Sequence, residues 1–169
     1  MAPSEFFPLT PGLRWAYEHR SSEFEGVEIV ELALEALPGT PPGSAARATL
    51  LRHPPEAPSR EYSYDIRATG TEVFSEGGIL GLTRREFPLP PKVGQRWVEP
   101  PDINEIVSDR ETVSTPAGEF SGCLKVNTYL AAGDSGCAVR YYAPGVGYVF
   151  EEYSSETWGA QVKLIRFSR

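Results

Sequence analysis

Arg140-Tyr141-Tyr142-Ala143-Pro144-Gly145-Val146-Gly147-Tyr148-Val149-Phe150 reads as strand, tight turn, strand. Tyr141, Tyr142, Tyr148, Val149 and Phe150 favour extended backbone because their bulk suits a pleated surface. Pro144 fixes its φ and has no N–H to give a ladder. Gly145 tolerates φ > 0, so the Pro-Gly pair reverses the chain. Gly147 is expected at a bulge or where another backbone comes close. Working outward, turn signals recur about every eight to twelve residues, the rhythm of an antiparallel sandwich or barrel. No stretch combines helical period with caps.

The period-two pattern assigns side chains to faces. Trp15, Tyr17 and His19 share one side of the segment from Arg14. Val30, Leu32, Leu34 and Ala36 share another, as do Tyr62, Tyr64, Ile66 and Ala68. The cleanest alternation runs from Glu119 to Leu130, with Phe120, Leu124, Val126 and Leu130 on one face. Ile79–Glu86 and Ile103–Ser114 read as strands, and Phe87–Pro101 as the longest irregular connection, pinned by Leu89, Val93 and Trp97. Ala132-Gly133-Asp134-Ser135-Gly136 reads as a hairpin turn. The expected fold is all-β: one strongly curved antiparallel sheet of roughly ten strands forming an open or half barrel. The alternative is a two-sheet sandwich. No domain boundary is visible, so residues 1–169 read as one domain.

The 169 residues are enough to bury a core without staples. A formal net charge of −7 and a pI near 4.9 argue against nucleic acid and anionic lipid headgroups, both of which need clustered Lys and Arg. No apolar run is long enough for a membrane span. Met1-Ala2-Pro3-Ser4 leads straight into Phe6-Phe7-Pro8 with no leader pattern, which fits a cytoplasmic protein and equally a chain whose leader has been removed.

No catalytic or cofactor constellation emerges. The two histidines, His19 and His53, follow apolar residues of their own strand face and read as structural. No Gly-x-Ser-x-Gly elbow is present. Glu23, Glu25, Glu28 and Glu31 cluster without the spacing of a Ca²⁺ loop and read as a solvated edge. Asp102, Glu105 and Asp109, or Glu151 and Glu152, offer carboxylates for a pair. The two cysteines, Cys123 and Cys137, fall far apart on the sheet and are expected to be free thiols, with Cys123 on the face of Lys125 and Asn127. The aromatics Trp15, Tyr17, Tyr62, Tyr64, Trp97, Tyr141 and Tyr148, with Tyr142 and Phe150, either form plain core or line one concave apolar surface with hydroxyls at its mouth.

Thr115-Pro116-Ala117-Gly118-Glu119-Phe120, Cys123-Leu124-Lys125-Val126 and Tyr141 to Gly147 together resemble a family of bacterial envelope β-domains of poorly known function. Phe6-Phe7-Pro8-Leu9, Pro11-Gly12-x-x-Trp15, Phe87-Pro88-Leu89 and Val93-Gly94-Gln95-x-Trp97 fit the same pattern. The family is distantly similar to the lipoprotein carriers, whose curved sheet has an apolar concave side. The resemblance implies a secreted or envelope protein with no catalytic residues, binding an apolar, lipid-like or amphipathic ligand on its concave aromatic face. A protein-interaction module using an exposed sheet edge is the alternative, and a carboxylate-pair hydrolase a weaker one.

Overall fold

The computed structural model describes residues 5–130 and 136–169. Twelve strands follow one another: β1 (Arg14–Ser21), β2 (Glu28–Ala36), β3 (Ala45–His53), β4 (Arg60–Ala68), β5 (Glu72–Ser75), β6 (Arg84–Pro88), β7 (Arg96–Glu99), β8 (Asp102–Thr115), β9 (Gly118–Leu130), β10 (Gly136–Ala143), β11 (Gly147–Ser155) and β12 (Gly159–Ser168). Among the described residues there is no helix. The turn expected at Ala132–Gly136 lies outside the described residues, apart from Gly136.

All twelve strands join one antiparallel sheet in the order β6-β5-β4-β3-β2-β1-β12-β11-β10-β9-β8-β7. Every ladder joins consecutive strands except β1 with β12, which brings the first and last strands together. The sheet rolls into a nearly closed barrel, and β6 and β7 face each other across a seam. The curved-sheet expectation therefore holds, with twelve strands in place of about ten. Both short strands at the seam differ from the sequence reading. Residues before Arg84 stay out of the ladder, and Arg96–Glu99 pairs with Asp102–Glu105 inside what reads as a loop. Proline density on either side hides a strand of only four residues.

The inner face is set by the alternation. Trp15, Tyr17 and His19 point inward from β1, Val30, Leu32 and Leu34 from β2, and Leu124 and Val126 from β9. One end of the barrel is stoppered by the segment before β1. Leu9 and Leu13 are 1% and 3% exposed, and Phe7 packs on Phe87 and Tyr142. Gly145 N donates to Glu5 O at 2.9 Å, tying this segment to the Pro144-Gly145 turn. Gly147, at φ +100°, lies so close to the segment that a Cβ there would stand 3.2 Å from Pro8 Cδ.

Cys123 and Cys137 are free thiols, as expected. Cys123, however, is fully buried, because the long β8–β9 hairpin bulges and its turn returns to the barrel, where Ala117 N bonds Leu164 O at 3.2 Å. Burial pushes its thiol up to about 11, with Glu111 adding to the shift.

Candidate functional site: the polar end of the barrel

The inner face changes character toward the other end of the barrel, where five strands contribute polar side chains. Arg84 on β6 reaches Glu151 on β11 through two parallel hydrogen bonds of 2.9 and 2.8 Å and donates through Nε to Glu86 at 3.0 Å. Tyr148 OH donates to Glu151 at 2.7 Å, and Tyr142 OH donates to Glu86 at 2.7 Å. Arg140 on β10 donates to the Tyr142 hydroxyl at 2.7 Å, to Thr128 Oγ1 at 3.0 Å and to Asn104 Oδ1 at 3.5 Å. Thr128 in turn donates to Asn104 at 2.6 Å. Bidentate guanidinium–carboxylate geometry makes such pairing tight, and complete satisfaction offsets the large cost of burying charge.

The same network bridges the seam. Arg140 Nη2 donates to the main-chain carbonyls of Glu86 at 2.9 Å and Arg85 at 3.4 Å, where a neighbouring strand would donate in a closed barrel. From the β7 side, the Glu99 carboxylate accepts the Arg85 N–H at 3.0 Å and the Trp97 indole N–H at 3.3 Å. Side chains thus replace a ladder, and the edge groups are not left open.

Burial alone would raise the Glu86 pKa. The Arg84 and Arg140 guanidiniums and the bonds from Arg84 and Tyr142 overturn that and hold it below the usual carboxylate range. Burial raises the phenols of Tyr17, Tyr64, Tyr142 and Tyr148, with nearby carboxylates adding to the shift. Both shifts bear on stability. The contribution of a depressed carboxylate is complete above the ordinary carboxylate pKa and is lost as pH falls through the folded value. A raised phenol stabilises below about pH 10 and ceases to do so as pH climbs beyond it. Urea midpoints measured across pH are expected to fall on both sides of a broad plateau, and Glu86→Gln to flatten the acid limb. An acid limb of unchanged slope in that variant contradicts the assignment.

Above this floor lies an open pocket of about 180 Å³ at the seam, bordered by Leu82, Thr83, Arg84, Glu99, Pro100, Asp102, Asn104, Thr128, Arg140 and Tyr153. Residues 76–83, between β5 and β6, form its other wall and cover the barrel end. Within this loop Ile79 is 5% exposed. Gly77 packs on the Tyr64 ring, where a Cβ would come within 2.9 Å of Cγ. Arg52 holds the Gly78 and Ile79 carbonyls and pairs with Glu28 at 2.7 Å. Under the loop is a small cavity of about 40 Å³ bordered by Phe7, Leu32, Tyr64 and Tyr148. Outside it is a depression of about 380 Å³ bordered by Leu50, Arg52, Tyr62, Tyr64 and the loop glycines. Tyr62, 45% exposed, borders this depression, and Leu82, 38% exposed, borders the seam pocket.

The aromatics named from the sequence divide into three groups. Tyr62, Tyr64 and Tyr148 come together around the loop. Trp15, Tyr17 and Trp97 are buried, with their polar atoms on Val146 O, Tyr148 O and Glu99. Tyr141 stands on the outer face against Phe150 and Lys125, because strand alternation sends it opposite Tyr142. The acidic cluster also divides. Glu28 is buried and shared between His19 Nδ1 at 2.9 Å and Arg52, so it is not part of a solvated edge. Glu31 pairs with His53 at 3.0 Å on the outer face, and His53 Nδ1 meets Ser59 Oγ at 2.8 Å. Of this trio Glu31 alone borders the outer depression nearby, so the three do not converge on it. Among the described residues, no three His, Cys, Asp or Glu side chains gather as a metal site would require.

No family model matches this chain, and no curated protein does. Two solved structures share its fold. One is described as a "putative lipoprotein" from Parabacteroides distasonis, with a TM-score of 0.70 and 16% identity over 99% of this chain and 100% of the other. The second, a "putative exported protein with YmcC-like fold" from Bacteroides fragilis, has the same TM-score and identity, over 98% and 100%.

Proposed function

We propose that this chain is a non-enzymatic β-barrel domain of the cell envelope that binds an amphipathic ligand at its polar end. One observation supports this above the rest. The loop at residues 76–83 separates a polar-floored pocket, bordered by partly exposed Leu82, from an apolar depression bordered by Tyr62. A ligand with one polar and one greasy end would fit across that boundary, since binding sites pair an apolar lining with a few placed polar groups. The barrel interior itself is filled by its own side chains, so the ligand belongs at the mouth rather than along the whole concave face. An exported origin agrees with the descriptions of the two proteins of like fold.

The competing readings have less support. Strand recruitment at an edge needs an open edge, and β6 and β7 face each other across bridging side chains. A carboxylate pair doing acid–base work needs one member kept protonated. Glu86 is instead held ionised, and Glu151 is clamped by Arg84.

The test is titration of the purified chain with a fluorescent fatty-acyl probe, alongside native mass spectrometry of the same sample. Saturable binding of one molecule is expected. Leu82→Asp or Tyr62→Asp should weaken it about tenfold, the loss of a buried apolar side chain. No saturable binding to the native chain, or equal affinity in both variants, overturns the proposal.

A further inference from the structure

The groups left over in the seam pocket indicate which kind of polar head it takes. Arg84 spends its guanidinium on Glu151 and Glu86, and Arg140 directs its N–H groups to Tyr142, Thr128, Asn104 and two carbonyls. Three groups remain. The Asp102 carboxylate has no hydrogen bond or ion pair among the described residues, although its backbone pairs with Glu99 in the ladder. Asn104 accepts through Oδ1 from Thr128 and Arg140, while its amide NH₂ has no acceptor among those residues. Tyr153 borders the pocket, its ring packs edge-on against Trp158, and its hydroxyl likewise has no hydrogen-bond partner among the described residues.

We infer that the pocket recognises an uncharged polyhydroxyl group, a sugar ring in chemical terms, as the head of the amphipathic ligand. This rests on the reading given under Proposed function. A carboxylate only accepts, an amide NH₂ only donates, and a phenol does both. Hydroxyls answer all three at once. A phosphate or sulfate would find Arg84 matched by two carboxylates and the Arg140 N–H groups spent on neutral acceptors, and would face Asp102 and Glu99 at the rim. An ammonium has no lone pair for Asn104 and would sit over two guanidiniums. A pyranose also offers an apolar C–H face to the Tyr153 ring, and the volume of about 180 Å³ is on the scale of one such ring.

The experiment compares three surfactants of equal alkyl length, below their micelle concentrations, by calorimetric titration of the full chain. The heads are maltoside, phosphocholine and trimethylammonium. The maltoside is expected to bind about tenfold tighter than either other, the difference made by one or two well-placed hydrogen bonds to a charged group. Asp102→Ala, which removes no side-chain hydrogen bond or ion pair among the described residues, is expected to erase that margin by lowering the maltoside affinity. Thermal melts of the variant check its folding, and Asp102→Asn, which keeps an acceptor oxygen, should restore part of the margin. Equal binding of all three heads, or a preference for either charged one, overturns the sugar assignment and leaves the amphipathic site standing. Binding of none overturns both.

Discussion

Arg84→Met is expected to destabilise the protein by about 3–5 kcal/mol, the cost of leaving a buried carboxylate without its cation. Glu151 is completely buried, and its one other partner is the Tyr148 hydroxyl. Glu86 would keep Tyr142 but lose its nearest positive charge. The loss should appear as a lower urea midpoint with an unchanged slope, since the surface exposed on unfolding is the same. The pairing is best isolated with Glu151→Leu. Alone it strands Arg84, yet with Arg84→Met it removes both charges together. The double variant should be more stable than the sum of the two single losses implies. Strict additivity would mean that the two side chains do not act as a pair.

Arg140→Met is expected to have the second-largest effect, about 3 kcal/mol or more, because several acceptors lose their donor in a dry interior. Its signature differs from that of Arg84. Arg140 supplies the hydrogen bonds to the unpaired side of β6. Without it, amides of β6 and β7 should exchange with solvent much faster, while those of β1 and β12 on the opposite wall change less. Local opening follows the loss of local hydrogen bonds. If the seam amides exchange no faster in the variant, Arg140 is not what holds the seam shut.

Much of the wall was legible from sequence. The Tyr142–Gly147 turn, the inward set Trp15/Tyr17/His19, and the wide separation of Cys123 from Cys137 all follow from period-two alternation and turn chemistry, which are local properties. The polar end was not read. Its signal was present: Arg140 shares the face of Ala138 and Tyr142, and Glu151 that of Val149. A charge on an apolar face is the mark of a buried pair, but its partner Arg84 lies 67 residues away from Glu151 in the chain, where no local pattern reaches. The strands that meet the seam failed for another reason. They are only five and four residues long and are flanked by Gly and Pro, and ladders with β5 and β8 hold them extended.

A meander of this kind can assemble almost entirely from neighbours. Each hairpin from β1 through β6, and again from β7 through β12, joins segments adjacent in the chain, so each closes only a short loop. The first and last strands have no such help. Uniting them brings together segments separated by nearly the whole polypeptide, and contacts that distant slow folding because closure entropy must be met before they form. Strands β1–β6 and β7–β12 form two six-stranded runs of neighbours, and β1 with β12 is the one ladder that joins them among the described residues.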